Sequence, residues 1–335
     1  VMVRAEGVFP EGFSIWRTLR GQRAPEARTE MVKAADWVPA VAAEVHALAG
    51  AEGQYLASGV LVGGGAVPAG EPDPEAARER RWRDGEVVLE VNGLSKRFGG
   101  IVAASELVMT LRKGTITALV GPNGAGKTTV FNLLTGFIKP DAGSVVLSGT
   151  ELVGRTPDFV ARQGMVRSFQ DVRLFARLSC LQNVAMAVQR QPGENLAPLF
   201  TPGVAARGEA ETVEKAMGWL QYVGMQEFAH LPAGALSYGQ SKLLSLARVL
   251  ATEASVLLLD EPASGIDTHW VDTMLALIES LKEQGRTICI VEHNLHVVGR
   301  LADHTYFMEL GRITAEGTID ELTSSPRLAE AYFGT

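Results

Sequence analysis

Short apolar runs alternate with longer amphipathic segments over most of the chain. Three of the runs are rich in β-branched or leucine side chains, which is typical of buried strands. They cover residues 115–120, 256–259 and 287–291. Segments with helical periodicity lie around and between them, at residues 128–134, 213–223, 242–251 and 270–284. This alternation predicts an α/β sandwich with a largely parallel central sheet.

Two further regions refine this prediction. Strand patterns also occur at residues 87–91, 101–111 and 145–147. Residues 163–240 show few strand signals and more helical ones, so we expect a helical subdomain inserted there. The working domain is therefore predicted to cover residues 87–335, with a C-terminal tail from about residue 317.

Residues 1–86 differ from the rest in composition and show poor periodicity. Residues 70–74 are typical of a linker, and residues 78–83 form a charged run. The chain begins with Val1. One hypothesis is that residues 1–86 are an N-terminal extension, either disordered or produced by a misplaced start. The alternative is a genuine accessory segment.

Charge and hydropathy exclude some classes of function. The net charge of −7 gives no support to nucleic-acid binding, which usually requires a basic surface. No apolar stretch reaches 18 residues, so any work at a membrane is expected to depend on partner chains. Cys289 lies inside an apolar run, which favours a buried thiol over a ligand or disulfide.

One segment matches the phosphate-loop pattern Gly-x-x-x-x-Gly-Lys-Ser/Thr in full. It consists of Gly121, Pro122, Asn123, Gly124, Ala125, Gly126, Lys127 and Thr128, and Thr129 is added to the nucleotide-binding set. Its glycines allow the backbone to wrap around a phosphate, and the N-terminus of the following helix supplies a positive field. We expect Lys127 to reach the β- and γ-phosphates of a bound nucleotide and the Thr128 hydroxyl to bind Mg²⁺.

Two carboxylates follow a later buried strand. Asp260 and Glu261 come directly after four apolar residues, where an acidic pair costs free energy unless it has a partner. We expect Asp260 to hold Mg²⁺ and Glu261 to act as the general base for water. The alternative is a strand-end pair that caps the next element.

A short segment just before these carboxylates resembles the signature sequence of ABC transporter ATPases. It consists of Leu236, Ser237, Tyr238, Gly239 and Gln240. Four further residues match motifs of that family in order. They are Phe98, which would stack on adenine, Gln170 of the Q-loop, Asp267 of the D-loop and the switch histidine His293. The resemblance covers residues 87–335.

The resemblance implies both a fold and a mechanism. It implies an ABC-type P-loop NTPase with a mixed central sheet, an N-terminal antiparallel β subdomain and an inserted helical subdomain. The signature would contact the γ-phosphate held by an opposite subunit, so that two chains close around two ATP molecules. His293 would act in catalysis with Glu261 and Lys127, and Gln170 would bind Mg²⁺. Tyr238 departs from the glycine common at its position.

Three segments narrow the resemblance to the ATPases of branched-chain amino acid importers. These are residues 164–175, an insertion at 191–209 and the end at 331–334. ATPases of urea importers and lipopolysaccharide exporters are the alternatives within the family. A soluble translation or repair factor is less favoured because only one set of motifs is present. A non-hydrolysing interaction subunit is disfavoured by the presence of Glu261 and His293.

The importer resemblance also implies partners and a location. The partners would be two transmembrane permease subunits, a second ABC ATPase subunit and, indirectly, a periplasmic or extracellular solute-binding protein. No nucleic acid is expected. The chain would be cytoplasmic and peripheral, held on the inner face of the cell membrane by the permeases.

Overall fold

The computed structural model describes residues 74–169, 172–189 and 202–324. The strands are β1 (Val87–Phe98), β2 (Ile101–Arg112), β3 (Ile116–Val120), β4 (Ala142–Leu147), β5 (Thr150–Glu151), β6 (Met165–Arg167), β7 (Val256–Asp260), β8 (Thr287–Val291), β9 (His304–Glu309) and β10 (Arg312–Gly317). The α-helices are α1 (Pro74–Asp84), α2 (Lys127–Leu134), α3 (Pro157–Arg162), α4 (Cys180–Ala185), α5 (Pro202–Tyr222), α6 (Tyr238–Leu250), α7 (Thr268–Glu283), α8 (Leu295–Leu301) and α9 (Ile319–Thr323).

The larger sheet has six strands in the order β10-β9-β3-β8-β7-β6. Strand β10 pairs antiparallel with β9, and the other neighbours are parallel. Strands β3, β7 and β8 are buried at every residue, which explains why their sequences are continuous apolar runs. The predicted mixed central sheet is therefore confirmed.

The register of three neighbouring strands aligns the segments that leave them. Val291, the last residue of β8, pairs with Leu119 of β3 on one side and with Asp260 of β7 on the other. Because parallel strands end at the same edge of a sheet, the segments that follow them start side by side. The phosphate loop, Glu261 and His293 all come from this edge.

The smaller sheet is antiparallel, with the strand order β2-β1-β4-β5. Alternate residues of the central strands pack on opposite sides of the larger sheet. Leu258 and Cys289 belong to the core that includes Phe131 of α2 and the leucines of the antiparallel sheet. Leu257 and Ile288 belong to the core formed with the helices. The two cores thus hold the antiparallel β subdomain and the helical layer on either side of the sheet, and Cys289 is a buried free thiol as predicted.

The structure moves the predicted start of the helical subdomain. Residues 165–167 form β6, which pairs with β7 at the edge of the larger sheet, so the predicted start near residue 163 is too early. The sequence analysis missed this strand because three residues are too few to show the alternation of apolar and polar positions that identifies a strand. Helices α4, α5 and α6 form the helical part, and α4 packs on both of the others.

The segment before residue 87 also differs from its prediction. Residues 74–84, which include the last residue of the expected linker (70–74) and the whole charged run (78–83), form helix α1. The Trp82 ring stacks on His304 of β9, with centroids 3.6 Å apart and an interplanar angle of 9°. Arg112 of β2 lies 4.9 Å from the Trp82 ring centre, and Arg78 Nη1 donates a 2.8 Å hydrogen bond to the carbonyl of Gly299. Helix α1 therefore packs against the domain that was predicted to start at residue 87.

Several predictions fall on residues that the structure does not describe. Residues 1–73, residues 191–201 of the predicted insertion and residues 325–335 of the tail lie outside the described part. Among the described helices, none combines the length and the apolar character needed to cross a bilayer.

Candidate active site

The phosphate loop joins buried strand β3 to helix α2, and its glycines are required for two reasons. A Cβ at Gly121 would lie 2.0 Å from the Met308 carbonyl oxygen, and one at Gly126 would lie 2.2 Å from the Ala103 carbonyl oxygen. Gly124 has a φ of 81° and open space around it. The first two glycines thus allow close backbone approach, and the third allows a left-handed turn on the open side of the loop.

Lys127 folds back onto the loop that precedes it. Its Nζ donates hydrogen bonds to the carbonyl oxygens of Gly121 (2.7 Å) and Pro122 (3.0 Å). Burial lowers the pKa of Lys127, while the carboxylates of Glu261 and Asp260 raise it. The predicted lysine therefore shares its electrostatic environment with both predicted carboxylates.

Asp260 is a deeply buried acidic group of the site. It is 1% exposed, and its Oδ2 accepts a hydrogen bond from Nη2 of Arg167, whose side chain is also buried. Its Oδ1 is buried and has no hydrogen-bond partner within the described part of the chain. Burial raises the pKa of Asp260, and the bond from Arg167 opposes that shift. Arg167 therefore holds one oxygen of this carboxylate, and no described residue holds the other.

Glu261 follows Asp260 in a strained backbone conformation that two hydrogen bonds to its main-chain atoms hold in place. Its φ is 48°, which is unfavourable for a residue with a side chain and costs about 1–3 kcal/mol. Its N–H donates to the Val291 carbonyl at 2.9 Å, and its carbonyl accepts from Lys242 Nζ at 2.9 Å. His293 Nδ1 lies 3.7 Å from Glu261 Oε1. The predicted base and the predicted switch histidine are thus neighbours.

Three supporting residues escaped the sequence analysis. Arg167 and Lys242 reach this edge from β6 and α6. Glu292 is 1% exposed, and its Oε1 accepts the Ala263 N–H at 3.1 Å, fixing the segment after Glu261. Burial raises the pKa of Glu292. The sequence offered one signal for these three residues, which is that they are charged and stand next to the predicted motifs. A charged residue that becomes buried there needs a partner in the site.

The signature residues form the start of α6, which begins four residues earlier than predicted. Ser237 is the N-cap: its Oγ accepts the Gln240 N–H at 3.3 Å, and Gln240 Oε1 accepts the Ser237 N–H at 2.9 Å. This capping box explains why the helix starts at Tyr238 despite the glycine that follows. Because Ser237 Oγ serves the cap as an acceptor, its O–H remains able to donate.

Tyr238 and Gly239 bring the signature against the D-loop segment and α7. A Cβ at Gly239 would lie 2.7 Å from the Trp270 ring. A Cβ at Gly265 would lie 3.1 Å from the Tyr238 ring. The Tyr238 side chain is 50% exposed. The bulk at position 238 is therefore accommodated beside a glycine of the same chain.

The remaining predicted residues are less closely tied to this cluster. Phe98 is 45% exposed, and Lys96 Nζ lies 5.5 Å from its ring centre. Asp267 occupies the N-cap position of α7, but its side chain accepts no capping hydrogen bond. Thr128 is exposed and Thr129 half-buried at the start of α2. Gln170 lies outside the described residues.

A phosphate loop after one buried parallel strand and an acidic pair after another define a P-loop nucleoside triphosphatase. The chain belongs to the ABC transporter family, whose model matches residues 104–264, and it is an ATPase of that type. It is 40% identical over 249 residues to the high-affinity branched-chain amino acid transport ATP-binding protein BraF of Pseudomonas aeruginosa, covering 74% of this chain and 98% of the relative. It is 38% identical over 250 residues to the corresponding LivG protein of Escherichia coli, with the same coverage.

Solved structures agree with this assignment. A nucleotide-free ATP-binding cassette from an ABC transporter aligns with a TM-score of 0.66 and 31% identity, covering 75% of this chain and 100% of its own length. The ADP conformation of an ABC transporter cassette aligns with a TM-score of 0.64 and 30% identity over the same shares of the two chains.

Proposed function

We propose that the chain hydrolyses ATP to drive a membrane importer for branched-chain or other hydrophobic amino acids. The observation that carries the ATPase part is the convergence of Lys127, Asp260, Glu261 and His293 at one edge of the sheet. The choice of solute is supported by similarity to branched-chain amino acid transport ATP-binding proteins, which this chain matches over nearly their full length. Import of urea or export of lipopolysaccharide is the alternative.

ATP is proposed to bind with its phosphates in the loop from Gly121 to Thr128. The first N–H groups of α2 lack intrahelical acceptors, and with the loop N–H groups they favour an anion. Lys127 would exchange its two carbonyl acceptors for phosphate oxygens, which is favourable because a charged acceptor makes a stronger bond. The half-exposed ring of Phe98 would stack on adenine.

The residues present fit a magnesium ion bound together with ATP. The unpartnered Asp260 Oδ1 and the exposed Thr128 hydroxyl supply oxygen ligands, and Gln170 is proposed as a third. No group of three or more His, Cys, Asp or Glu side chains in the described ranges could hold a metal ion. The Asp260 and Thr128 oxygens match the needs of Mg²⁺, which usually takes one or two carboxylates and completes its coordination with phosphates and water. The ion would neutralise phosphate charge.

Glu261 is proposed to accept the proton of the attacking water. The bonds from its N–H and to its carbonyl fix its main chain, so the carboxylate is presented without a large entropic cost. His293 would donate from its exposed imidazole towards the γ-phosphate and the same water. The 3.7 Å between Nδ1 and Oε1 allows the two side chains to act on one reacting centre.

The signature is proposed to complete the site of a second ATPase subunit. The Ser237 O–H and the first N–H groups of α6, a 13-residue helix, form an anion-binding helix start. The signature would contact the γ-phosphate on the other subunit, while that subunit's signature serves this chain's ATP. The second subunit is either another copy or a related ABC ATPase.

The permease subunits are proposed to dock at a groove beside the Q-loop. A cavity of about 270 Å³ lies between the end of β6 and helix α6. Its lining includes the rings of Phe137 and Phe169 and the guanidinium groups of Arg173 and Arg248. Phe169 directly precedes Gln170, so a permease segment in this groove would touch the link to the nucleotide. These contacts would place the chain on the cytoplasmic face of the membrane, with a solute-binding protein on the other side.

Replacing the proposed base tests the reaction. In the complex copurified with its membrane partners, Glu261→Gln should lower phosphate release about 100-fold or more and stabilise ATP-bound dimers. The matched control is Glu283→Gln, the same change at an exposed position in the last turn of α7. Unchanged turnover in Glu261→Gln would reject Glu261 as the base.

The copurification itself tests the importer proposal. Two multi-span permeases and a second ATPase are the expected partners, and ATP hydrolysis should rise when a leucine- or valine-loaded binding protein is added. Recovery with ribosomes or DNA would instead overturn the transport function.

A further inference from the structure

Arg167 joins three elements of the active site through one buried guanidinium group. Its side chain is 4% exposed. Nη1 donates a 2.6 Å hydrogen bond to Asn132 Oδ1 on α2, and Nη2 donates to Asp260 Oδ2 at the end of β7. Arg167 itself is the last residue of β6. The phosphate-loop helix, the acidic strand and the strand before Gln170 therefore meet at this side chain.

We propose that Arg167 is the residue that positions Asp260 for magnesium. By holding Oδ2, it fixes the rotation of the carboxylate and leaves the buried Oδ1 as the oxygen that meets the ion. The inference rests on the proposed function and gives a role to a residue to which the family resemblance assigned none. Side chains that hold a metal ligand in this way usually change metal affinity about 10–100-fold when they are removed.

The geometry requires an arginine at this position. The two nitrogen donors are used at the same time, one on an amide oxygen and one on a carboxylate oxygen, and only a planar guanidinium offers two donors in a fixed fork. The rings of Phe131 and Phe169 lie 5.5 and 5.6 Å from the guanidinium carbon and limit its movement. A lysine would keep the charge but satisfy the two acceptors poorly.

A second contact couples the main chain of Asp260 to the residue that follows β6. The Asp260 N–H donates to Ser168 Oγ at 3.0 Å, and the Ser168 N–H donates to the Leu258 carbonyl at 2.8 Å. Asp260 is thus held by two consecutive residues, Arg167 and Ser168, just ahead of Gln170. A shift of this strand end would carry the metal ligand with it.

The test measures how nucleotide binding by the full chain depends on Mg²⁺. A fluorescent ADP is titrated in EDTA and then at increasing Mg²⁺ concentrations. Arg167→Met should leave the metal-free affinity within about twofold and raise the Mg²⁺ concentration for the half-maximal effect about 10–100-fold. Arg167→Lys should give a smaller shift in the same direction.

Arg162→Met is the matched control. Arg162 also pairs with an aspartate, Asp158, but both side chains are more than 60% exposed, at 71% and 63%. Its Mg²⁺ dependence should equal that of the unaltered chain, since exposed pairs contribute little. Circular dichroism verifies the fold of each variant, and if Arg167→Met does not fold, Arg167→Lys decides the question.

The outcomes separate this inference from the proposed function. A folded Arg167 variant with unchanged Mg²⁺ dependence overturns the inference, as does a lower half-maximal Mg²⁺ concentration, which would mean that Arg167 competes with the ion. If the unaltered chain binds no nucleotide, the proposed function fails. Normal binding with unaltered Mg²⁺ dependence in the variants leaves that function intact and rejects only the role of Arg167.

Discussion

The docking of helix α1 leads to a quantitative prediction, because one aromatic side chain of the helix packs on two residues of the domain. Trp82 is half-buried, stacks on His304 and lies beside the guanidinium of Arg112. In Trp82→Ala both ring contacts are lost, and His304, only 5% exposed in the intact protein, becomes accessible. We therefore expect the variant to destabilise the whole domain as well as the helix.

The expected loss follows from the contacts. Replacing a fully buried tryptophan by alanine costs about 3–5 kcal/mol, and a half-buried ring about half as much. The aromatic stack and the cation–π contact each add about 0.5–1 kcal/mol. A total of about 2.5–4.5 kcal/mol corresponds to a fall in melting temperature of about 5–18 °C for a domain of this size.

The assay is thermal unfolding of the full chain, followed by far-UV circular dichroism. Arg81→Ala changes an exposed residue of the same helix and should move the melting temperature by less than about 1 °C. Limited proteolysis provides a second readout, since undocked residues 74–84 should be cut sooner in Trp82→Ala. Equal melting temperatures and equal cleavage would show that α1 does not contribute to the fold and would refute this reasoning.

Two other predictions concern pH and the phosphate loop. Burial, with Arg112 and Arg83 nearby, lowers the pKa of His304 to about 4, so between pH 6.5 and 4 only the unfolded chain gains this proton. The contribution of neutral His304 to the free energy of unfolding is complete above pH 6.5 and should fall by about 3 kcal/mol as the pH drops to 4. The measurement compares the urea midpoints of the unaltered chain and His304→Phe across this range. A difference between the two midpoints that does not change with pH would contradict the prediction. In Gly126→Ala, the new Cβ meets a carbonyl at 2.2 Å, so nucleotide affinity should fall at least about tenfold. The control Gly218→Ala, in a helix with open space, should gain about 0.5–1 kcal/mol of stability, and normal nucleotide binding by Gly126→Ala would contradict the close-approach argument.

The sequence predicted the parts of the fold whose residues are buried on both faces. Strands β3, β7 and β8 are buried at every residue and are largely apolar in sequence, so their burial could be predicted from the sequence alone. Strand β9 lies between β3 and β10 but was not predicted, because it begins with His304 and Thr305. Both residues are nevertheless buried, and the Trp82 ring covers His304. A strand covered by a distant part of the chain does not need an apolar sequence.

The candidate site, too, could be predicted only where the signal lies in adjacent residues of the sequence. Lys127, Asp260 and Glu261 stand in motifs whose chemistry is readable from a few adjacent residues. Arg167 acts on a carboxylate 93 residues away, and Lys242 on a carbonyl 19 residues away, so neither shows a local pattern. Their roles arise from the order of strands in the sheet and from the docking of α6, which sequence periodicity does not contain.

The position of Val291 between Leu119 and Asp260 determines which sequence changes the enzyme can tolerate. This register places the phosphate loop and the carboxylates at matching positions along the sheet, and it depends on main-chain hydrogen bonds between the strands. A substitution leaves these bonds in place unless it introduces proline. Conservative apolar exchanges along β8 therefore leave the alignment of the site intact. Loss or gain of one residue in β8 would displace the following segment by about 3.3 Å and turn its side chains to the opposite face of the sheet. This enzyme should accumulate substitutions in its central strands while excluding insertions and deletions there.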